Sequence, residues 1–331
     1  MKTIEMREAG KADVLHMGTR PLPQIRDGEV LLKVASVGVN GPDLVQRRGH
    51  YPPPAGASDL LGLEVSGVVV EVGKNVTQWK KGDSLCALAN GGGYAEFVAI
   101  DAGHCLPIPE GITMVDAGGL PETYFTVWSN CFYQQSYADN SVFLVHGGAG
   151  GIGSTAIQIG KALGLRVFTT CANEQNVAYC QSLGAERAIN YHDEDFVEIV
   201  REAGGANLIL DIIGGDYIAR NIKAASPDAR IVQLAFNLGS KVELNLMPIM
   251  LKRLTYTGST LRSRPDSFKT AIAEDLKTHV WPLFASGKLQ AKTHVVLPYE
   301  KASEAHELME SAAHRGKIIL APKTLEPAAS D

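Results

Sequence analysis

The chain has 331 residues, of which 45% are hydrophobic and 20% charged, so it can fold into two domains and is not a disordered chain. Its net charge is −5 and its basic residues are dispersed, which excludes the usual footprint of a nucleic-acid-binding protein. The five cysteines form no Cys-x-x-Cys pair, and no apolar run could span a bilayer, so we expect a cytoplasmic protein with buried, reduced thiols.

The first 120 residues predict a small antiparallel β-barrel. A strand pattern opens the chain, and runs rich in β-branched residues at 30–37, 65–72 and 94–100 predict further strands. Gly-Asp, Pro-Pro and Gly-Gly-Gly turns separate these runs, as is typical of a small all-β domain.

After residue 120 helical and strand patterns alternate. The predicted strands are residues 142–145, 166–170, 187–190, 208–212, 231–234 and 255–258. The predicted helices between the first of them are residues 154–163 and 174–183, the second ending at Gly184. This alternation predicts an α/β fold with a doubly wound parallel sheet, covered by helices on both faces.

The last part of the chain returns to a mixed pattern. An amphipathic helix is predicted from Pro265, with Asp266 as its cap. A second helix at residues 300–313 and a strand at 317–320 follow, and residues 325–331 are expected to be a frayed tail.

The most informative local pattern is a glycine-rich turn. Residues 142–153 read Val-Phe-Leu-Val-His-Gly-Gly-Ala-Gly-Gly-Ile-Gly, so that Gly148, Gly150 and Gly153 form a Gly-x-Gly-x-x-Gly motif between a strand and a helix. Such glycines permit a tight turn, close approach of a diphosphate and close helix–strand packing. In this setting the motif predicts a dinucleotide-binding site.

Several separate motifs, in the same order along the chain, carry a family resemblance. They are residues 39–44 (Val-Asn-Gly-Pro-Asp-Leu), 48–52 (Arg-Gly-His-Tyr-Pro), 61–67 (Leu-Gly-Leu-Glu-Val-Ser-Gly), 91–96 (Gly-Gly-Gly-Tyr-Ala-Glu), 106–111 (Leu-Pro-Ile-Pro-Glu-Gly), 146–153 and 261–264 (Leu-Arg-Ser-Arg). With them the chain resembles the zinc-free quinone oxidoreductase family of the medium-chain dehydrogenase/reductase superfamily, and most of all its stress-inducible NADPH:quinone oxidoreductase subgroup.

The resemblance implies a chaperonin-10-like β-barrel catalytic domain and a Rossmann domain. We place the first at residues 1–120 and 265–331 and the second at residues 121–264. A homodimer or homotetramer is the expected assembly.

The same resemblance bears on zinc. The zinc alcohol dehydrogenases of the superfamily hold their catalytic metal with Cys, a His-Glu pair and a second Cys, and the matching positions here are Asn40, Leu63-Glu64 and Glu122. These side chains do not make a zinc site, so we expect no metal. His50, His104 and His146 show no ligand spacing and are expected to be surface or turn residues.

The cofactor is expected to be NADPH, with NADH as the alternative. An NAD-specific site usually places an acid about 20 residues after the first glycine, and the strand end near Cys171 carries none, although Glu174 follows shortly after. The serine and lysine that relatives offer to the 2′-phosphate are replaced by Asn173 and Asn176, so any preference should be modest.

The resemblance implies further cofactor contacts. Tyr191 would contact the phosphate, and Asn40 and Thr126 would face the nicotinamide. Lys317 would pair with the diphosphate, unless it is a solvated strand-edge lysine. The remaining predicted cofactor-binding residues are Ala149, Gly151 and Ile152 in the glycine turn, Ile213 and Gly214, Ala235 and Phe236, and Leu261 and Arg262.

The expected reaction is hydride transfer from the cofactor to a quinone or a related conjugated carbonyl, a small-molecule substrate. Such chemistry needs mainly positioning and exclusion of water. Tyr51 is the candidate hydrogen-bond donor to the carbonyl, oriented by Asn40 and Asp43. Tyr51 could instead pack on the following prolines, and Asp43 could be a turn former. An enoyl or enone reductase and a non-catalytic NADPH-binding protein remain alternatives.

Overall fold

The computed structural model describes residues 1–322, which form two compact units. We call the first the split unit, because it combines Met1–Phe125 with the segment from Arg262 onward. The second, the central unit, is Thr126–Leu261. The division falls near the predicted boundaries after residues 120 and 264. The tail predicted at residues 325–331 lies outside the described residues.

Strands and helices follow the chain in this order. The strands are β1 (Lys2–Met6), β2 (Leu15–Thr19), β3 (Glu29–Gly38), β4 (Glu64–Val72), β5 (Ser84–Leu88), β6 (Phe97–Asp101), β7 (Cys105–Pro107), β8 (Val142–His146), β9 (Arg166–Cys171), β10 (Arg187–Asn190), β11 (Ala206–Asp211), β12 (Ala225–Gln233), β13 (Thr255–Gly258), β14 (Thr293–Pro298) and β15 (Lys317–Ala321). The α-helices are α1 (Gly41–Arg47), α2 (Met114–Ala117), α3 (Pro121–Val127), α4 (Gly151–Ala162), α5 (Glu174–Ser182), α6 (Phe196–Glu202), α7 (Tyr217–Ala224), α8 (Met247–Lys252), α9 (Asp266–His279), α10 (Trp281–Ala285) and α11 (Ala302–Glu310). Short 3₁₀ turns lie at Ala12–Val14, Ala102–His104 and Tyr299–Lys301, and a π-helical turn at Trp128–Phe132 follows α3.

The split unit is built on a seven-stranded sheet. Its strands run in the order β14-β15-β3-β4-β5-β7, with β6 also paired to β3. All pairs are antiparallel except β14 with β15. The antiparallel N-terminal domain predicted from the sequence is therefore confirmed.

The C-terminal segment belongs to the same core as the N-terminal strands. In β15, Ile319 lies opposite Gly38 and Leu320 opposite Val37 of β3. Leu320 packs in one hydrophobic cluster with Leu32 of β3 and with Ala305 of α11. These contacts explain why the first and last parts of the chain fold as one unit.

The central unit is a six-stranded parallel sheet in the order β10-β9-β8-β11-β12-β13. Counted within the unit this is the order 3-2-1-4-5-6 of Rossmann sheets. Every residue of β8 is buried, as expected for a strand covered on both faces. The predicted doubly wound fold is confirmed.

Helix starts differ from the sequence prediction at two places. Helix α4 begins at Gly151 instead of residue 154, so Gly150 occupies its N-cap position and Gly153 lies inside the first helical turn. Asp266 does not cap α9: it is the first helical residue, and Pro265 occupies the cap position with an extended backbone. The fixed φ of proline suits that position, and no side chain caps the helix there.

Candidate active site

The predicted residues of the central unit gather at one edge of its sheet. The glycine turn follows β8, Asn173 follows β9, and Tyr191 follows β10. Ile213 and Gly214 follow β11, and Ala235 and Phe236 follow β12. The carboxyl ends of parallel strands lie on the same side, and this is the edge at which open α/β sheets bind their ligands.

Two glycines of the motif are required by packing. A Cβ on Gly148 would collide with the hydroxyl of Thr169 and lie 2.9 Å from Sγ of Cys180. A Cβ on Gly153 would collide with the carbonyl of Gly147 and lie 2.6 Å from Cα of Gly148. These positions keep α4 close against the strands.

Gly150 is different, because the fold does not need a glycine there. Its φ is −76°, which any residue can adopt, and an added Cβ would meet nothing nearer than the Gly147 carbonyl oxygen at 3.8 Å. The Cβ would enter open space at the N-terminus of α4, where backbone N–H groups and the helix dipole favour an anion. An added side chain at residue 150 would occupy this space.

A buried network holds the turn after β11. Asp211, fully buried, accepts hydrogen bonds from the backbone N–H groups of Ile213 at 2.6 Å and Gly214 at 3.1 Å. Its other oxygen accepts from the Asn221 side-chain amide at 2.9 Å, and His146 Nε2 lies 2.7 Å from Asn221 Oδ1. The network thus fixes two predicted cofactor-binding residues. Sequence analysis missed Asp211, although an acid that ends an apolar strand before Gly-Gly is a recognisable signal.

The prediction that the three histidines are surface or turn residues is wrong for His146, which ends β8, whereas His104 lies in the turn Ala102–His104 although it is buried. His146 and His104 are fully buried, whereas His50 is exposed. Burial lowers the pKa of His146 and of His104, so both are held neutral. The five cysteines are buried and free, as predicted.

The end of β9 carries no acid. Cys171 is buried, and Asn173 caps α5 by accepting a hydrogen bond from the Asn176 backbone N–H at 2.9 Å. Glu174 begins the helix. Tyr191, beyond β10, is 41% exposed and therefore accessible to a ligand.

In the split unit, Lys317 lies in a ring of oxygen atoms. Its Nζ donates to Asn40 Oδ1 at 2.6 Å, to Glu64 Oε1 at 2.7 Å and to the Val39 carbonyl at 3.2 Å. These acceptors take all three protons of the ammonium. The prediction that Lys317 pairs with a cofactor diphosphate does not match these contacts, and neither does a solvated lysine, because the side chain is buried.

Glu64 joins three elements of the split unit. One of its oxygens accepts from Lys317 and from the Asn40 amide at 2.8 Å, and the other accepts from the backbone N–H of Glu122 at 2.8 Å. Glu64 thus ties β4 to β15 and to the start of α3. Asn40, predicted to face the nicotinamide, has both ends of its amide engaged in this group.

Asp43 supports the start of α1. Its carboxylate accepts from the backbone N–H groups of Asn40 and Gly62, each at 2.9 Å. Burial raises its pKa to about 6. Each carboxylate oxygen thus accepts from one backbone N–H group, which matches the alternative that Asp43 is a turn-forming residue. These contacts do not connect Asp43 to Tyr51, so they do not support a role in orienting that tyrosine.

Tyr51 lies beside Arg262 and is half-buried. The Arg262 guanidinium lies 5.6 Å from the centroid of the Tyr51 ring and donates to Gln46 Oε1 at 2.6 Å and to the Asn90 carbonyl. Arg262 is therefore fixed within the split unit. The Tyr51 hydroxyl has no hydrogen-bond partner among residues 1–322, which leaves it able to donate to a ligand.

Glu122 is an acid whose pKa lies close to neutral pH, as that of a catalytic acid does. It lies in the first turn of α3 and is half-buried. Burial, together with the negative charge of Glu64, raises its pKa to about 8. In the sequence, Glu122 stands out only as the residue at the position of a zinc ligand. Its place in Leu120-Pro-Glu, directly before the apolar residues of a helix, is the local signal for a buried acid.

The residues at the positions of the zinc ligands do not fit zinc. Asn40 and Glu64 are bound to Lys317, whose ammonium supplies the positive charge between them. No group of three His, Cys, Asp or Glu side chains that could hold a metal occurs in the described part of the chain.

No helix within residues 1–322 is long and apolar enough to cross a membrane.

A Rossmann sheet with an open space before its first helix, together with an antiparallel unit that includes the late strand β15, is typical of two-domain dehydrogenases and reductases. Residues 26–110 match the family "Alcohol dehydrogenase GroES-like domain", and residues 151–276 match "Zinc-binding dehydrogenase". The quinone oxidoreductase of Rattus norvegicus is 27% identical over 97% of each chain. The chain is thus similar to the quinone oxidoreductases of the medium-chain dehydrogenase/reductase superfamily.

Two solved structures show the similarity in three dimensions. The quinone oxidoreductase of Escherichia coli, complexed with NADPH, matches with a TM-score of 0.84 and 27% identity, covering 97% of this chain and all (100%) of that chain. The CurK enoyl reductase matches with a TM-score of 0.84 and 25% identity, covering 97% of this chain and 99% of that chain.

Proposed function

We propose that the protein is a zinc-independent NADPH:quinone oxidoreductase of the EC 1.6.5 type, which reduces quinones or related conjugated carbonyls. The observation that carries the proposal is the open space at Gly150, before the amides of Gly151 and Ile152 on a Rossmann sheet. When bound there, a nicotinamide dinucleotide supplies a hydride. The similar protein from Escherichia coli, solved with NADPH, supports this cofactor.

The choice of NADPH over NADH rests on the strand end after β9. A carboxylate there would bind the ribose hydroxyls of NADH and repel a 2′-phosphate. The residues from Cys171 to Asn173 include no acid, so the 2′-phosphate meets no repulsion there. The absence of a lysine or arginine in the same stretch makes the preference modest.

The residues of the chain itself position the acceptor. The Tyr51 hydroxyl donates a hydrogen bond to the acceptor carbonyl, while Arg262 holds the tyrosine ring in place. Quinones are strongly electrophilic, so they need no metal to polarise them. A reaction that needs no metal is consistent with a site in which Glu64 and Asn40 bind the Lys317 ammonium instead of a metal ion.

Tyr51→Phe is expected to lower the rate of quinone reduction about tenfold, or ~1.4 kcal/mol, because it removes a donor to the carbonyl oxygen. Affinity for NADPH should be unchanged. Single-turnover oxidation of bound NADPH, together with a binding titration, measures both quantities. Wild-type rates in the variant would make Tyr51 a packing residue.

Two other functions are kept open by specific observations. The similarity to CurK favours an enoyl or enone reductase, in which the hydride goes to carbon. A non-catalytic NADPH-binding protein would use the same glycine turn. An NADPH-oxidation screen over quinones, enones and enoyl thioesters decides between them. We expect the highest kcat/KM with quinones; a preference for enoyl thioesters would favour the second function, and no oxidation with any acceptor the third.

The central unit also offers a surface for a second copy of the chain, as a homodimer or homotetramer requires. Large apolar side chains are exposed there between β12 and β13: Leu238, Leu246, Met247, Met250 and Leu251 are each at least half exposed. Patches of this kind mark interaction sites. We place the protein in the cytoplasm, where its five buried thiols stay reduced.

A further inference from the structure

Three carboxyl groups of the split unit, Asp43, Glu64 and Glu122, repel one another and have unequal hydrogen-bond partners. Asp43 accepts two backbone N–H groups, and Glu64 accepts from Lys317, Asn40 and the Glu122 backbone. The Glu122 carboxyl has no hydrogen-bond partner within residues 1–322. It is therefore the one carboxyl of the three that the structure leaves free to exchange a proton with a ligand.

The charged groups around Glu122 do not, taken together, stabilise its carboxylate form. Glu64 and Asp43 repel it, while Lys317 and Arg262 attract it. Glu64 already neutralises Lys317 in a salt bridge of 2.7 Å, and Arg262 is occupied by neutral acceptors. Lys269, whose pKa Glu122 also affects, donates to Asn90 and to the Arg262 carbonyl.

These surroundings favour the protonated form of Glu122. Burial is the largest cause, and like charge adds to it, so that the pKa lies at about 8. At neutral pH the side chain is mostly a carboxylic acid that can donate a proton. A catalytic acid works best when its pKa lies near the working pH.

The position of Glu122 is fixed, and it lies near the candidate acceptor site. Glu64 holds the Glu122 backbone N–H at the start of α3. Burial, and after it the charge of Glu122, raises the pKa of Tyr51. Arg262, whose guanidinium lies 5.6 Å from the centroid of the Tyr51 ring, is the cation that acts on both groups. Tyr51 carries the free hydroxyl to which we assign the acceptor carbonyl.

We propose that Glu122 is the proton donor of this site and protonates the carbonyl oxygen of an acceptor bound at Tyr51. The proposal rests on the proposed reductase function. For a quinone, the O–H bond of Glu122 would break and one O–H bond of the hydroquinone would form; a bound dihydronicotinamide would supply, from its C–H bond, the hydride that makes the second O–H bond. The acceptor gains two electrons with the hydride, and the Glu122 carboxylate then regains a proton from solvent. Glu64 is a positioning residue, since it acts through the Glu122 backbone.

The first test is the pH dependence of kcat with NADPH and a soluble quinone. A general acid is active when protonated, so the wild-type rate should fall as pH rises through about 8. Glu122→Gln, which cannot ionise, should be about a hundredfold slower and lose this decline. Glu110→Gln, an exposed glutamate of the same unit, is the matched control and should behave as wild type.

The second test reads the proton directly and needs no turnover. Infrared difference spectra of wild type minus Glu122→Gln should show a carboxylic C=O band at neutral pH that is lost on titration through about pH 8. The absence of this band at neutral pH, or superimposable pH profiles of the active wild type and Glu122→Gln, would overturn the proton-donor assignment alone. If the wild-type protein shows the band but does not oxidise NADPH with any acceptor tested, the proposed reductase function is overturned, and the proton-donor assignment with it.

Discussion

Gly150→Val is expected to abolish dinucleotide binding while the protein stays folded. The valine side chain would fill the open space before α4, where we place the diphosphate, yet it meets no protein atom within 3.8 Å at its Cβ. We expect the Kd for NADPH to rise at least a hundredfold, or about 2.7 kcal/mol. Titration of NADPH by calorimetry, beside a thermal melt of each protein, measures this effect.

Two other glycines provide controls for that experiment. Gly28→Val also adds a side chain where nothing lies within 4 Å, but in the split unit, so binding should stay at the wild-type level. Gly148→Val should instead unfold the central unit or lower its melting temperature, because its side chain collides with Thr169 and Cys180. A folded Gly150→Val protein with unchanged affinity would remove the glycine turn from the binding site.

Lys317→Met is expected to destabilise the protein by about 3–5 kcal/mol, because it leaves the buried Glu64 carboxylate without its cation. The Asn40 side-chain oxygen loses its donor in the same variant. Urea unfolding followed by circular dichroism gives the change in the free energy of unfolding.

The matched control uses a surface ion pair. Lys301 lies 3.0 Å from Glu304, and both side chains are about half exposed. Lys301→Met should therefore cost at most about 1 kcal/mol. Adding Glu64→Gln to Lys317→Met should recover part of the lost stability, since it removes the unpaired charge. Equal effects of Lys317→Met and Lys301→Met would mean that Lys317 is solvated, contrary to the structure.

The elements of the fold were predictable because their signals are local. The run that ends at His146 and the glycines after it identify β8 and the presence of a helix after it within a dozen residues of sequence, although the helix begins three residues earlier than predicted. Gly184 was correctly predicted to end a helix: it follows α5 with a φ of +103°, a conformation that glycine adopts without strain. The parallel order of the sheet then follows from alternation of strands and helices.

The side-chain partners in the split unit were not predictable, because they join distant parts of the chain. Lys317 contacts Asn40 across 277 residues, and Arg262 contacts Gln46 across 216. No spacing rule connects such positions. From the sequence alone, a lysine at the start of a strand could be solvated, could bind a phosphate or could belong to a buried ion pair.

The errors on His146 and Asp266 have one origin, because the local sequence does not show which tertiary partners the fold provides for a polar side chain. His146 is paired with Thr170 and Asn221 inside the sheet. Asp266 lies 3.7 Å from His104 and does not turn back to the helix amides. The same lack of tertiary information hid Glu122, whose pKa depends on Glu64 and on burial.

The most direct test of the proposed function is the stoichiometry of NADPH oxidation by a quinone after exhaustive removal of metals with a chelator. We predict that the metal-free protein oxidises one NADPH for each quinone converted to hydroquinone, at the rate of the untreated protein. Loss of this activity on chelation and its recovery with zinc would contradict the account. A metal-free protein that binds NADPH but reduces no quinone would contradict it equally.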